Sequence, residues 1–203
     1  EHELLREVGV AVMDEMPGDA PVGLIGHQIH VRALLGLPAG APGAGEVPAE
    51  PVGDPEIMLP ERYRRRVAMA TWFGQGLDRA SNEWHSRCPG GLIVLGTPRV
   101  PSVAVRVKLL AEGDIEAANR PGQWGPYEWD ATTVDGQTTR ITGRGYHDPA
   151  WRAAHTGIVR AAARQAVGRA RASLPEGVPV VVLSTEPLGL PVDCSDLRVL
   201  SDT

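Results

Sequence analysis

GLIVLGT (91–97) is the stretch whose reading decides the fold. Leu92 to Leu95 run without a polar interruption, the pattern of a strand covered on both faces and therefore central in a sheet. VPVVVLST (178–185) repeats the pattern and is expected to form a second central strand. SVAVRVKLL (102–110) alternates Val103, Val105 and Val107 with Arg106 and Lys108, which predicts a third strand with one wetted face. Residues 126–133 and 138–143 flank Val134-Asp135-Gly136-Gln137. Asp-Gly supplies the positive φ values of a type I′ turn, so a hairpin of two antiparallel strands is expected there.

Helices are expected between these strands. Leu4, Leu5, Val8, Ala11 and Val12 recur at helical spacing within 3–16, which closes at Pro17-Gly18. PVGLIGHQIHVRALLG (21–36) fits either an extended run at 22–25 followed by a helix, or one longer strand. From Pro60, placed as a first helical residue, Tyr63, Val67, Ala70, Phe73, Leu77, Ala80 and Trp84 fall on one helical face, with Arg64 and Arg65 opposite, until Cys88-Pro-Gly-Gly. A short helix is expected at 113–119. Asp148-Pro149 reads as an N-cap followed by proline at the first position, opening a helix that ends near Ser173, before Pro175.

The predicted fold class is α+β: a mixed, mainly antiparallel sheet of about five strands packed against two long helices, 60–87 and 149–173. Residues 37–60 hold six Pro and four Gly, a composition without regular structure. The expected organisation is one domain over 1–203, with 37–60 a loop or arm separating a small helical N-terminal unit (1–36) from the main body (61–203).

At 203 residues and 42% hydrophobic content, the chain can bury a core without covalent staples. Its two cysteines, Cys88 and Cys194, exclude a disulfide scaffold. No apolar run approaches ~18 residues, so no membrane span is expected and the cytoplasm is the expected compartment. The net charge of −5 argues against general affinity for nucleic acid. The charge is unevenly spread: residues 1–60 carry −8, 61–111 carry +6, 112–139 carry −5, 140–171 carry +6 and 172–203 carry −4. These blocks meet either an anionic ligand or one another. Glu61-Arg-Tyr-Arg-Arg-Arg66 puts positive charge at a helix start, unfavourable for the dipole, so a neutralising partner is expected, the acidic 46–56 stretch first. Nineteen of the twenty basic residues are Arg, which with abundant Ala, Gly and Pro is what a GC-rich bacterial genome encodes.

Five of the nine aromatic residues, Trp124, Tyr127, Trp129, Tyr146 and Trp151, lie between 124 and 151. They surround Arg144-Gly-Tyr146-His147-Asp148. A His at a strand-to-helix loop suits general acid/base work, and Arg144 beside a helix N-terminus suits an anion. The candidate catalytic residues are therefore His147 and Asp148. The candidate ligand-binding residues are Arg144, Tyr146, Trp129 and Trp124, with Ser184, which lies at the C-terminal end of the strand 178–183, where open sheets place ligands. The competing reading makes Asp148 a helix cap, His147 a loop residue and the aromatics core. His155, midway along the apolar face of the last helix, reads as a core histidine. No metal site is assigned, although His27-x-x-His30 and His85-x-x-Cys88 have a spacing zinc could use. No P-loop, dinucleotide fingerprint or nucleophile elbow is present, so the cofactor is unknown.

Two functional expectations follow. One is a small-molecule-binding protein or enzyme handling a small polar or anionic substrate by acid/base chemistry at 143–148. The other is a non-catalytic homo-oligomeric assembly or protein-interaction module using the 37–60 arm.

Overall fold

The computed structural model describes residues 2–38, 47, 51–74, 83–132, 136–170, 177–184, 186 and 188. Among them are seven helices and six strands in a mixed α/β arrangement with two separate sheets. The chain divides into two compact units. The first comprises 1–98 and 163–184, and the second comprises 99–162 and 185–203.

The first unit is built on four parallel strands: β1 (Val22–Gly26), β2 (Val67–Trp72), β3 (Gly91–Leu95) and β6 (Val180–Leu183). They lie in the order β2-β1-β3-β6. β1 and β3 are buried at every position, as a strand covered on both faces must be. Alternate residues feed two cores. Val22 and Leu24 of β1, with Ile93 and Leu95 of β3, pack with Val12, Met13, Val31, Leu34 and Leu35, from helices α1 (His2–Glu15) and α2 (Gln28–Leu35). Ile25, Leu92 and Val94 face the other way, onto Trp84, Cys88, Ala166 and Ala170. Trp84 belongs to the short helix α4 (Glu83–Arg87), and Ala166 to the end of α7 (Pro149–Gly168). Each large aliphatic side chain so enclosed contributes about 1.5–3 kcal/mol. The register shifts by one between Val22 and Gly23. That irregularity in β2 lets both Val67 and Ala70 join the first core while Met69 joins the second.

The second unit holds α5 (Ser102–Ala111), α6 (Ile115–Asn119), an antiparallel ribbon of β4 (Trp124–Thr132) and β5 (Thr138–Tyr146), and the start of α7. Its core is Val105, Leu109, Ala117, Ala118, Tyr146, Trp151 and Ala154. Val134 and Asp135 of the expected turn lie outside the described residues.

Several expectations are corrected. The larger sheet is parallel, not mainly antiparallel; only the ribbon is antiparallel. Of the two long helices, 149–173 is present as Pro149–Gly168, with 171–176 outside the described residues. The helix over 60–87 is instead the single turn α3 (Glu61–Arg64), then β2, then α4, with Leu77 and Ala80 outside the described residues. β2 is nearly buried throughout, so its apolar residues match a helical stripe as well as a strand. The predicted strand 102–110 is α5: Val105 and Leu109, four apart, face the core, while Val103 and Val107 stand 64% and 58% exposed. The strand at 178–185 is the edge strand β6, half-buried rather than central. Arg64 is buried, and its guanidinium meets Glu61 at 2.5 Å. Arg65 pairs with the same carboxylate at 2.6 Å, so Glu61 supplies a counter-charge from within the turn itself. Arg66 donates to the carbonyls of Met13 and Met16 at the end of α1. Part of the 37–60 arm, residues 39–46 and 48–50, lies outside the described residues.

Candidate functional site

The hairpin-to-helix region of the second unit brings together some of the predicted residues and separates others. Asp148 caps α7: its Oδ1 accepts from the N–H groups of Ala150 (2.9 Å) and Trp151 (3.1 Å). Its Oδ2 accepts from Arg120 Nε at 2.7 Å. Arg120 above all, then the Trp151 N–H, holds the carboxyl below the usual range. A carboxylate committed to three donors and a low pKa is a poor general base. His147 is exposed, with its ring over Gly125, where a Cβ would lie 2.6 Å from Nε2. Arg144 is exposed on the ribbon, opposite Pro126. The guanidinium that does reach the aromatic cluster is Arg152, 4.3 Å above the Tyr127 ring and donating to the Tyr146 carbonyl at 3.1 Å.

Trp124 and Trp129, five positions apart in β4, point to opposite faces of the ribbon. Trp129 stacks with Tyr127 at 6.1 Å and covers Gly143. Trp124 joins a different group: its ring meets Tyr146 at 4.8 Å and His155 at 5.1 Å, both edge-on. Tyr146 also meets His155 at 5.6 Å and Trp151 at 5.2 Å. Trp151 is anchored by its Nε1–H donating to the Ala117 carbonyl at 2.8 Å. Beside this group His155 Nδ1 stands 4.0 Å from Glu186 Oε1, the two side chains 7% and 17% exposed. Burial pushes the imidazole pKa down and the Glu186 carboxyl up, so the two move toward each other. Burial also raises the Tyr146 phenol. Burial thus disfavours the charged form of each, the imidazolium and the carboxylate alike. Trp124 remains 41% exposed and forms the outer surface of the cluster.

Sequence reasoning points to Tyr146 and Trp124 but places His155 in the core and passes over Glu186. The signal for His155 is its place four residues beyond Trp151 on one helix face. Glu186, in an irregular tail, carries none.

Ser184 lies in the first unit, at the C-terminal edge of the parallel sheet, where its Oγ and Thr97 Oγ1 share a 2.8 Å hydrogen bond. At this edge the chain leaves β1 toward β2 and β3 toward β6, so β1 and β3 flank a topological switch point. His27 stands there as the N-cap residue of α2, edge-on to His30 at 5.6 Å and Phe73 at 5.3 Å. Gly96, at φ +91°, leaves room for the His27 ring, which a Cβ would approach to 3.0 Å.

His85 and Cys88 lie at the other end of the sheet, before β3 begins, about 15 Å from His27 by strand length. Among the described residues, no group of three or more His, Cys, Asp or Glu side chains is placed to hold a metal. Cys88 is buried, and burial pushes its thiol up to about 11. Among the described residues, no helix is long and apolar enough to cross a membrane. No protein-family model matches this sequence, and neither a curated protein nor a solved structure is significantly similar to it.

Proposed function

We propose that the protein binds a small polar or anionic molecule and performs acid/base chemistry on it, with His155 and Glu186 handling the proton and Trp124 and Tyr146 forming the apolar wall. The observation that carries this reading is the His155–Glu186 pair at 4.0 Å, withdrawn from water beneath a half-exposed indole. Paired titratable groups with pKa values displaced by burial concentrate at functional sites. The region is the one the sequence singles out, but the chemistry moves from His147 and Asp148 to the next turn of α7 and the segment after β6.

A fragment panel of small carboxylates, phosphates and polyols, followed by ligand-observed NMR and by Trp124 fluorescence, tests the proposal. Hits that bind the native protein are expected to weaken at least tenfold in both H155Q and E186Q and to show a pH profile that these variants lose. Hits bound equally by native protein and both folded variants refute it.

A second reading is favoured by the parallel sheet of the first unit, whose switch point is the customary ligand position in open α/β sheets. It places the ligand at His27 and the Thr97–Ser184 hydroxyl pair. Loss of the same hits in H27A, with H155Q unaffected, would select it. The assembly reading rests on the 37–60 arm, of which 39–46 and 48–50 lie outside the described residues.

A further inference from the structure

On the outer side of α2 lies an open groove of about 330 Å³, within the range that small ligands fill. It has no part in the proton pair of the second unit. One wall is α2 itself, presenting Gln28, Ile29 and Arg32; the other is the segment carrying Val52, Asp54 and Ile57. The walls are held in place by the backbone. The Val52 N–H donates to the Gly36 carbonyl at 2.7 Å, and the Leu59 N–H to the Leu34 carbonyl at 2.9 Å. Ile57 and Met58 both close back onto the Asp54 carbonyl. Gly36 ends α2 at φ +65°, and a Cβ there would stand 2.4 Å from Met58 Sδ and 2.6 Å from Pro51 Cβ. Glycine at this position is what lets the second wall approach the helix.

The charges in the groove are unusual. The Arg32 guanidinium forms no ion pair with any described residue. The Asp54 carboxylate lines the same groove, beyond ion-pairing distance of Arg32, and among the described residues it receives only the Glu56 N–H, on Oδ1 at 2.9 Å. Ile29 and Val52 line the same groove and are 65% and 60% exposed. A guanidinium selects a carboxylate or phosphate, with Gln28 placed as an additional donor. A free carboxylate selects an ammonium. A lone anion would face Asp54 and a lone cation would face Arg32, each unfavourable. Only a molecule bearing both charges, with an apolar body for Ile29 and Val52, satisfies every group.

We infer that this groove is a binding site for a free amino acid with an apolar side chain, its carboxylate on Arg32 and Gln28 and its ammonium on Asp54. The probes are L-leucine, L-isoleucine and L-phenylalanine, with hexanoate and hexylamine as single-charge controls, each titrated into the full chain and followed by amide chemical shifts. At least one amino acid is expected to shift amides 28–33 and 52–57 while leaving the amides around His155 in place. R32Q and D54N are each expected to weaken that binding about tenfold or more. Neither variant removes a side-chain bond to another described residue, because the amide oxygen introduced by D54N still accepts from the Glu56 N–H, and unfolding midpoints report whether the variants remain native. Three results overturn the inference: no amino acid shifts the groove amides at about 10 mM; hexanoate or hexylamine binds as tightly as leucine; or folded R32Q and D54N bind leucine as the native protein does. Binding that shifts the His155 region instead belongs to the other site and also overturns it.

Discussion

Replacing Gly23 with alanine tests the packing of the parallel sheet at its tightest point. Gly23 lies within β1, between β2 and β3, and its φ is outside the left-handed region, so alanine meets no backbone strain. The added methyl, however, would stand 2.8 Å from both Cε3 and Cζ3 of Trp84 and 3.1 Å from Leu92 Cδ1. Carbon atoms prefer about 3.5–4.0 Å. Trp84 and Leu92 are each only 1% exposed, so neither ring nor side chain has free space to retreat into. Overpacking of this kind costs about 1–3 kcal/mol, and two ring atoms in overlap put Gly23→Ala toward the upper end. The reduced freedom of the unfolded chain returns about 0.4–1 kcal/mol. The net loss is about 2 kcal/mol, or about 4–8 °C in Tm for a chain of this size. Trp84→Leu alone is expected to cost about 3 kcal/mol through the void it leaves. In the double variant the methyl partly fills that void, so the two losses should fall short of additivity by about 1 kcal/mol or more. Urea unfolding followed by far-UV circular dichroism, applied to the native chain, both single variants and the double, measures the cycle. A Gly23→Ala protein as stable as the native one, or strict additivity with Trp84→Leu, would refute this packing.

Two further outcomes follow from the titrating groups. Asp148 has a folded pKa lowered chiefly by Arg120, so it contributes stability above its unfolded value of about 3.9, and that contribution disappears as pH falls through the folded value. Asp148→Asn does not titrate, so the Tm gap between native protein and variant should be widest at neutral pH and close as pH falls below about 4; parallel Tm curves from neutral pH into that acid range would contradict the cap geometry. In a Cys194→Ser background, Cys88, with its thiol at about 11 and its side chain buried, should react with an aromatic disulfide reagent at pH 8 at least about a hundredfold more slowly when folded than in urea, and fast labelling of the folded protein would show that α4 does not seal it.

The parts of the fold that were legible in the sequence are those whose pattern admits one period. β3 could be placed from Leu92–Leu95, and the ribbon from Asp135-Gly136, whose φ of +87° at Gly136 fits the turn residue. The start of α7 followed from Asp148-Pro149, and α1 from its stripe. What misled were segments satisfying two periods. Val103, Val105 and Val107 alternate, yet Val105 with Leu109 also makes a helical pair, and Pro101 immediately precedes α5. β2 is apolar on both faces, so it left no alternation to separate it from the flanking turns α3 and α4. At the candidate site, Tyr146 and Trp124 were legible as amphipathic aromatics. The cap role of Asp148 was legible too, and it competes with catalysis. Glu186 was not legible, because its significance comes only from facing His155, thirty-one positions earlier in the chain.

The division of the chain has a consequence for its synthesis. The last strand of the first unit, β6, is encoded after the whole of 99–162. Leu92 of β3 therefore waits for Val180, its register partner, until about 90 further residues have been translated. At about 5–20 residues per second, that is a delay of about 5–20 s. During it the nascent sheet has β1, β2 and β3 but an open hydrogen-bonding edge on β3. Such an edge is a template for any passing strand. The ribosome-bound intermediate is thus the stage of this protein's life most exposed to mispairing, and a ribosome stalled near residue 170 should hold a chain that a synthetic 177–186 peptide can complete in trans.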